Sequence, residues 1–186
     1  MTKLLAVLMT ATLLGCAALE ATRDPASPFF VIPEGSVLDL HQPLEIRPGT
    51  ARVWLQRGRV AAGHDWYVPS CNLEIRTLDR ERSQTVQPGT FVIRRVQQMG
   101  EWVELPRPEV QLAAVGFGVG LRAGGYDDGG VMGVWRGYHL WLESQEQPDV
   151  LRMTCKGAFA PAWEARPPGL DDLRAIFGEI ATLHLP

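Results

Sequence analysis

From Phe29 onward the chain is cut into short segments by residues that force turns, and this punctuation limits the folds open to it. Pro33 to Gly35, Pro48-Gly49 and Pro88-Gly89 pre-set bends, because proline fixes one dihedral and glycine tolerates the conformations a tight turn needs. Between the breaks lie runs rich in Val, Ile and aromatics that are too short for a helical repeat. These runs predict strands at Phe29–Ile32, Val37–Leu40, Leu44–Arg47, Arg52–Gln56, Asn72–Leu78, Thr90–Gln97, Trp102–Leu105, Trp135–Glu143 and Leu151–Lys156. Leu73, Ile75 and Thr77 alternate with Glu74 and Arg76, so that strand should bury one face. One stretch departs from the pattern. Leu170, Leu173, Ile176 and Phe177 fall on one helical face, with Asp171 and Asp172 placed to favour the first turn and Gly178 to end it. A last strand follows within Ile180–Leu185. The expected architecture is mainly β, an antiparallel sandwich or barrel-like sheet with one short C-terminal helix.

Composition sets the class. In 186 residues, 46% are hydrophobic and 21% charged, enough apolar material for one core and too little for a membrane bundle. A net charge of −3 excludes a strongly basic nucleic-acid binder. Ahead of the β region, Lys3 precedes an uncharged apolar run, Leu4 to Leu14. It falls well short of the roughly 20 residues a spanning helix needs and fits the apolar part of a secretory signal. The run closes on Leu13-Leu14-Gly15-Cys16, which resembles the lipobox of bacterial lipoproteins, although Leu14 stands where a small residue is more usual. That resemblance implies cleavage before Cys16, a diacylglycerol on its thiol and acylation of the new amino terminus. Ala17, in place of Asp, implies by the enterobacterial sorting pattern an outer-membrane anchor facing the periplasm. The chain therefore divides into a signal peptide (1–15), a lipidated tether (16–28) and a single β-rich periplasmic domain (29–186) with a Gly-rich loop at 113–133.

With Cys16 assigned to lipid, Cys71 and Cys155 remain. An exported chain folds under oxidising conditions, where two thiols in one domain usually pair. Cys71 shares parity with Leu73 and Ile75, and Cys155 with Leu151 and Met153, so both should point inward. A disulfide is expected. The competing role is a nucleophilic Cys71 served by His64 or His139, but Cys71 enters a strand instead of sitting at a helix start or sharp turn.

Other chemistry is thinly represented. His41, His64, His139 and His184 show no metal-ligand spacing, and no metal or cofactor is predicted. Asp127-Asp128-Gly129-Gly130 lacks the spaced oxygen ligands of a calcium loop. Gly116, Gly118 and Gly120 alternate without forming a phosphate-binding fingerprint. Six tryptophans (54, 66, 102, 135, 141, 163) could stack on sugars or a peptide, though aromatics on strands more often pack. Arg94 and Arg95 fall on opposite strand faces, so at least one should be partly buried and paired.

Four stretches together, Ala51–Val60, Tyr67–Arg76, Pro148–Cys155 and the closing helix before Ile180–Leu183, resemble a family of uncharacterised proteobacterial lipoproteins. The resemblance implies location and architecture and carries no activity. The expected role is a non-catalytic structural or binding one at the envelope, with the membrane and an envelope protein as partners. An envelope hydrolase acting on cell-wall or lipid substrates and a small-ligand binder using Trp and Arg are the alternatives. Cys16→Ser should abolish incorporation of radioactive palmitate; equal labelling of variant and wild type would end the anchoring assignment.

Overall fold

A computed structural model of the chain describes residues 24, 25, 27, 30–105 and 131–186. The predicted signal, Cys16, nearly all of the tether and positions 113–130 of the Gly-rich segment lie outside them. The described residues are built around a curled antiparallel half-barrel sheet, with a short helix near the C-terminus, so the barrel-like form of the expected architecture is the one adopted.

The strands are β1 (Val37–Leu40), β2 (Leu44–Ile46), β3 (Arg52–Gln56), β4 (Arg59–Ala61), β5 (Ser70–Ile75), β6 (Gln84–Val86), β7 (Gly89–Leu105), β8 (Val131–Glu143), β9 (Val150–Lys156) and β10 (Ala181–His184). Helix α1 spans Leu170–Phe177, between β9 and β10. Eight strands form the main sheet in the order β10-β1-β7-β8-β9-β5-β3-β4, and β2 pairs separately with β6. Every pairing is antiparallel.

The concave face holds the core. Leu38, Leu40, Val53, Leu55, Leu73, Phe91, Ile93, Leu140 and Met153 are buried there with Leu173, Ile176 and Phe177 of α1. The helix forms because its apolar residues share one face while the Gly169 backbone N–H donates to the Asp172 carboxylate at 2.9 Å. At its far end Gly178 abuts the β3–β4 turn. That turn is Arg57-Gly58, both at positive φ, and the Gly58 N–H donates to the Ile176 carbonyl at 3.0 Å. A Cβ on Gly178 would lie 2.7 Å from the Gly58 Cα, so glycine permits the contact. Through it α1 fastens the β3–β4 hairpin to the chain that runs on into β10, which lies along the opposite edge of the sheet.

Cys71 and Cys155 are joined by a disulfide, as direct cross-strand partners on β5 and β9 with Cα atoms 4.0 Å apart. Both are fully buried on the core face, as their parity predicts.

Several expectations need correction. Phe29–Ile32 is not a strand in its described part; Pro33 lacks an N–H for a ladder, and Ile32 is buried from an irregular segment. Thr90–Gln97 and Trp102–Leu105 are one continuous strand, because β8 pairs along it and keeps Gly100 in register with Arg136. β5 ends at Ile75, where the Arg76 N–H and the Thr77 hydroxyl turn to the carbonyl and carboxylate of Asp149. Its alternation does not mean one wet face, since all six residues from Ser70 to Ile75 are buried. Val131–Gly133, the end of the predicted Gly-rich loop, belongs to β8.

At Gly137 an added Cβ would fall 2.0 Å from the Cys155 carbonyl oxygen, whereas at Gly63 it would meet nothing within 4 Å. Gly137→Ala should lower the unfolding free energy by about 1–3 kcal/mol in urea titrations, and Gly63→Ala should leave it within about 0.5 kcal/mol. Equal stability of the two variants would contradict the close β8–β9 approach.

Candidate functional site

A single residue reorganises the sheet. Pairing between β7 and β8 slips at Arg94, which is extra to the ladder: Ile93 faces Leu142 and Arg95 faces Trp141. Such a bulge reverses the parity of everything beyond it. Phe91 and Ile93 are core residues before the slip, while Val96, Gln98, Gly100 and Trp102 take the concave side after it, opposite Leu140, Tyr138, Arg136 and Val134. Arg94 and Arg95 are both exposed, against the expectation of partial burial, but both are engaged. Arg94 pairs with Glu143, and the Arg95 guanidinium lies 4.5 Å from the Trp141 ring centroid.

The first consequence is a cleft. Beyond α1 the concave side of β7 and β8 forms its floor, Phe30 and Val31 one wall, and Ala165, Arg166 and Pro167 another. It encloses about 690 Å³. Trp102 is 62% exposed beside it, a large apolar surface to leave in water. The base is secured by Tyr138, whose hydroxyl donates to the Pro168 carbonyl at 2.6 Å; burial pushes its pKa far up, so it remains a donor. Arg136 and Arg166 supply positive charge. Arg166 is paired with Asp172 at 2.6 Å, whereas Arg136 forms no ion pair among the described residues.

The second consequence lies on the convex face, where the ladder brings together most of the residues singled out from sequence. One cross-strand row runs Arg52, Glu74, Arg152, Trp141, Arg95. Glu74 accepts from Arg152 at 2.8 Å and approaches Arg52 at 3.8 Å, while Arg95 and Arg152 both lie over Trp141. The next row runs Trp54, Asn72, Thr154, His139, Gln97. His139 Nδ1 and the Thr154 hydroxyl are 2.8 Å apart. Further along, Lys156 pairs with Glu101 and stands 4.7 Å from the Trp135 ring. Trp135 is packed edge-on by Trp66 and Phe159.

His64 is brought to this face by the loop after β4. Gln56 fastens that loop, its amide donating to the Asp65 and Val68 carbonyls and accepting from the Asp65 N–H. The His64 ring stacks on Trp54 at 3.9 Å and 12°, with Trp135 6.2 Å away on another side. Burial lowers the His64 pKa and Lys156 adds to it, against opposing pulls from Glu101 and Asp65. Burial also lowers that of His139, helped by Arg152 and Lys156 and opposed by Glu74.

This arrangement does not assemble a hydrolytic centre among the described residues. The two core thiols are oxidised to one another, His139 is engaged with a buried Thr154, and the His64 Nε2 meets no partner. What reading along the chain missed was the cleft, whose walls come from three segments remote in sequence. Comparison of the chain with protein-family models, curated proteins and solved structures found no match.

The two depressed histidines set a pH dependence. An unfolded histidine takes up its proton as pH falls through the ordinary value of 6.5, before the folded one does. The unfolded state then binds more protons, so stability is full above 6.5 and declines as pH falls toward the folded values. Urea titrations across this range should show that decline, and a His64→Gln/His139→Gln double variant should flatten it. An equally steep profile in the double variant would show that these rings are not the source.

Proposed function

We propose that the chain is a lipid-anchored cell-envelope protein with a non-catalytic binding role, and that the cleft at the open end of the half-barrel is its binding site. The anchor rests on the Leu13–Cys16 lipobox and the preceding apolar run, and the periplasm-facing outer-membrane location on Ala17. The resemblance to proteobacterial lipoproteins supports the same placement. The binding role is carried by one observation: an apolar recess of about 690 Å³, within the range of small-molecule sites, with Trp102 exposed at its edge and Arg136 beside it.

The chemistry of the lining suits a single-chain amphiphile with an anionic end. Its chain would lie on Phe30, Val31, Val96 and Trp102, and its charged group would meet Arg136. Burying the chain supplies the free energy, and the arginine fixes orientation. The hydrolase alternative gains no support, because neither histidine lines the cleft, His64 Nε2 meets no partner among the described residues, and the hydroxyl His139 meets, that of Thr154, is buried.

Binding of cis-parinaric acid, followed by its fluorescence, tests this. Trp102→Ala and Arg136→Glu should each weaken binding about tenfold, equivalent to roughly 1.4 kcal/mol. Undiminished binding by both variants, or none by the wild type, would remove the cleft from the account.

A further inference from the structure

Asn72 is the anomaly of the convex face. It is only 1% exposed, yet among the described residues neither its Nδ2 nor its Oδ1 has a hydrogen-bond partner. Its neighbours are satisfied: Glu74 by two arginines and Thr154 by His139. Leaving a buried polar group unpaired is destabilising, so a side chain that carries both an unmet donor and an unmet acceptor needs an explanation. The second orphan nearby is His64 Nε2.

The two belong to one arrangement. Trp54 is the direct cross-strand partner of Asn72 on the same face, and the His64 ring covers that indole in a near-parallel stack. His64 occupies a slot with Trp54 on one side and Trp135 on another, where no hydrogen bond holds its Nε2. The loop is fastened by Gln56 at Asp65 and Val68, beyond His64, and a Cβ added to the neighbouring Gly63 would meet nothing within 4 Å. These fastening points do not include the His64 ring, so its displacement would not require them to break.

We propose that Trp54 and Asn72 form a carbohydrate subsite, which His64 fills in the absence of ligand. This site is distinct from the cleft and does not depend on it. A pyranose ring presents an apolar C–H face, which replaces the imidazole on Trp54. Its ring substituents provide hydroxyl donors and acceptors side by side, which match the unmet donor and acceptor of the Asn72 amide. A flat aromatic compound would reproduce the stacking but leave Asn72 unpaired. The nearby Lys156 and Glu101 neutralise each other, so the site suits an uncharged sugar.

The test titrates the purified protein with chitotetraose, cellotetraose and indole, observed by calorimetry and by the side-chain amide resonances of Asn72. At least one oligosaccharide should bind the wild type and shift the Asn72 resonances. His64→Ala should tighten binding about tenfold, because the competing occupant no longer reduces the fraction of open sites. Trp54→Ala should remove binding while the thermal transition remains cooperative. Absence of oligosaccharide binding in both wild type and His64→Ala overturns the proposal. So does binding that leaves the Asn72 resonances in place, or an His64→Ala protein that accepts indole and neither sugar.

Discussion

The bond between Cys71 and Cys155 is the constraint on which the two faces of this sheet depend. It joins neighbouring strands, β5 and β9, that are 84 residues apart in the chain, and β6, β7 and β8 all lie on the loop it closes. In the chain-entropy description a loop of this length contributes about 4.6 kcal/mol by limiting the unfolded state. Because the cysteines are direct partners in the ladder, the bond also supports the register around them. A one-residue slip would exchange the core side chains Leu73 and Met153 with the polar Asn72 and Thr154 of the convex face.

From that pinned centre the sheet serves two different surfaces. The concave side is dry where α1 covers it and opens into the cleft where the long β7–β8 hairpin runs past the helix. The convex side carries a polar and aromatic layer in which Glu74 is compensated by arginines, Trp141 by the guanidinium groups over it, and the Asn72 amide by no hydrogen bond among the described residues. The bulge at Arg94 decides which side chains of β7 reach which surface. Without it Trp102 would turn away from the cleft and Glu101 away from Lys156.

Much of the fold was legible along the chain because the relevant physics is local. Val37–Leu40, Arg52–Gln56 and Leu170–Phe177 were predicted with their observed limits, since each has a clean period and a turn residue at its border. The inward cysteines followed from parity. The strands β4 and β6 were missed because Arg59–Ala61 and Gln84–Val86 each carry a single large apolar residue, whereas the equally short β2 carries two. The alternation in β5 misled for a different reason: its polar residues are buried too, Glu74 between Arg52 and Arg152 of the neighbouring strands, and such long-range neighbours leave no mark on the strand itself. The meeting of His64 with Trp54 and Trp135, and the cleft walls, come from long-range topology. The bulge at Arg94 has no composition of its own, yet it inverts half of β7.

Alkylation of the native protein with iodoacetamide, before and after reduction, followed by mass analysis of the Cys71 and Cys155 peptides, tests the central claim most directly. Neither cysteine should be modified in the unreduced protein, the two peptides should be recovered as one linked species, and both should be alkylated once the bond is reduced in denaturant. A free, alkylated Cys71 in the native protein would contradict the account, because the sheet would then lack its covalent link between β5 and β9.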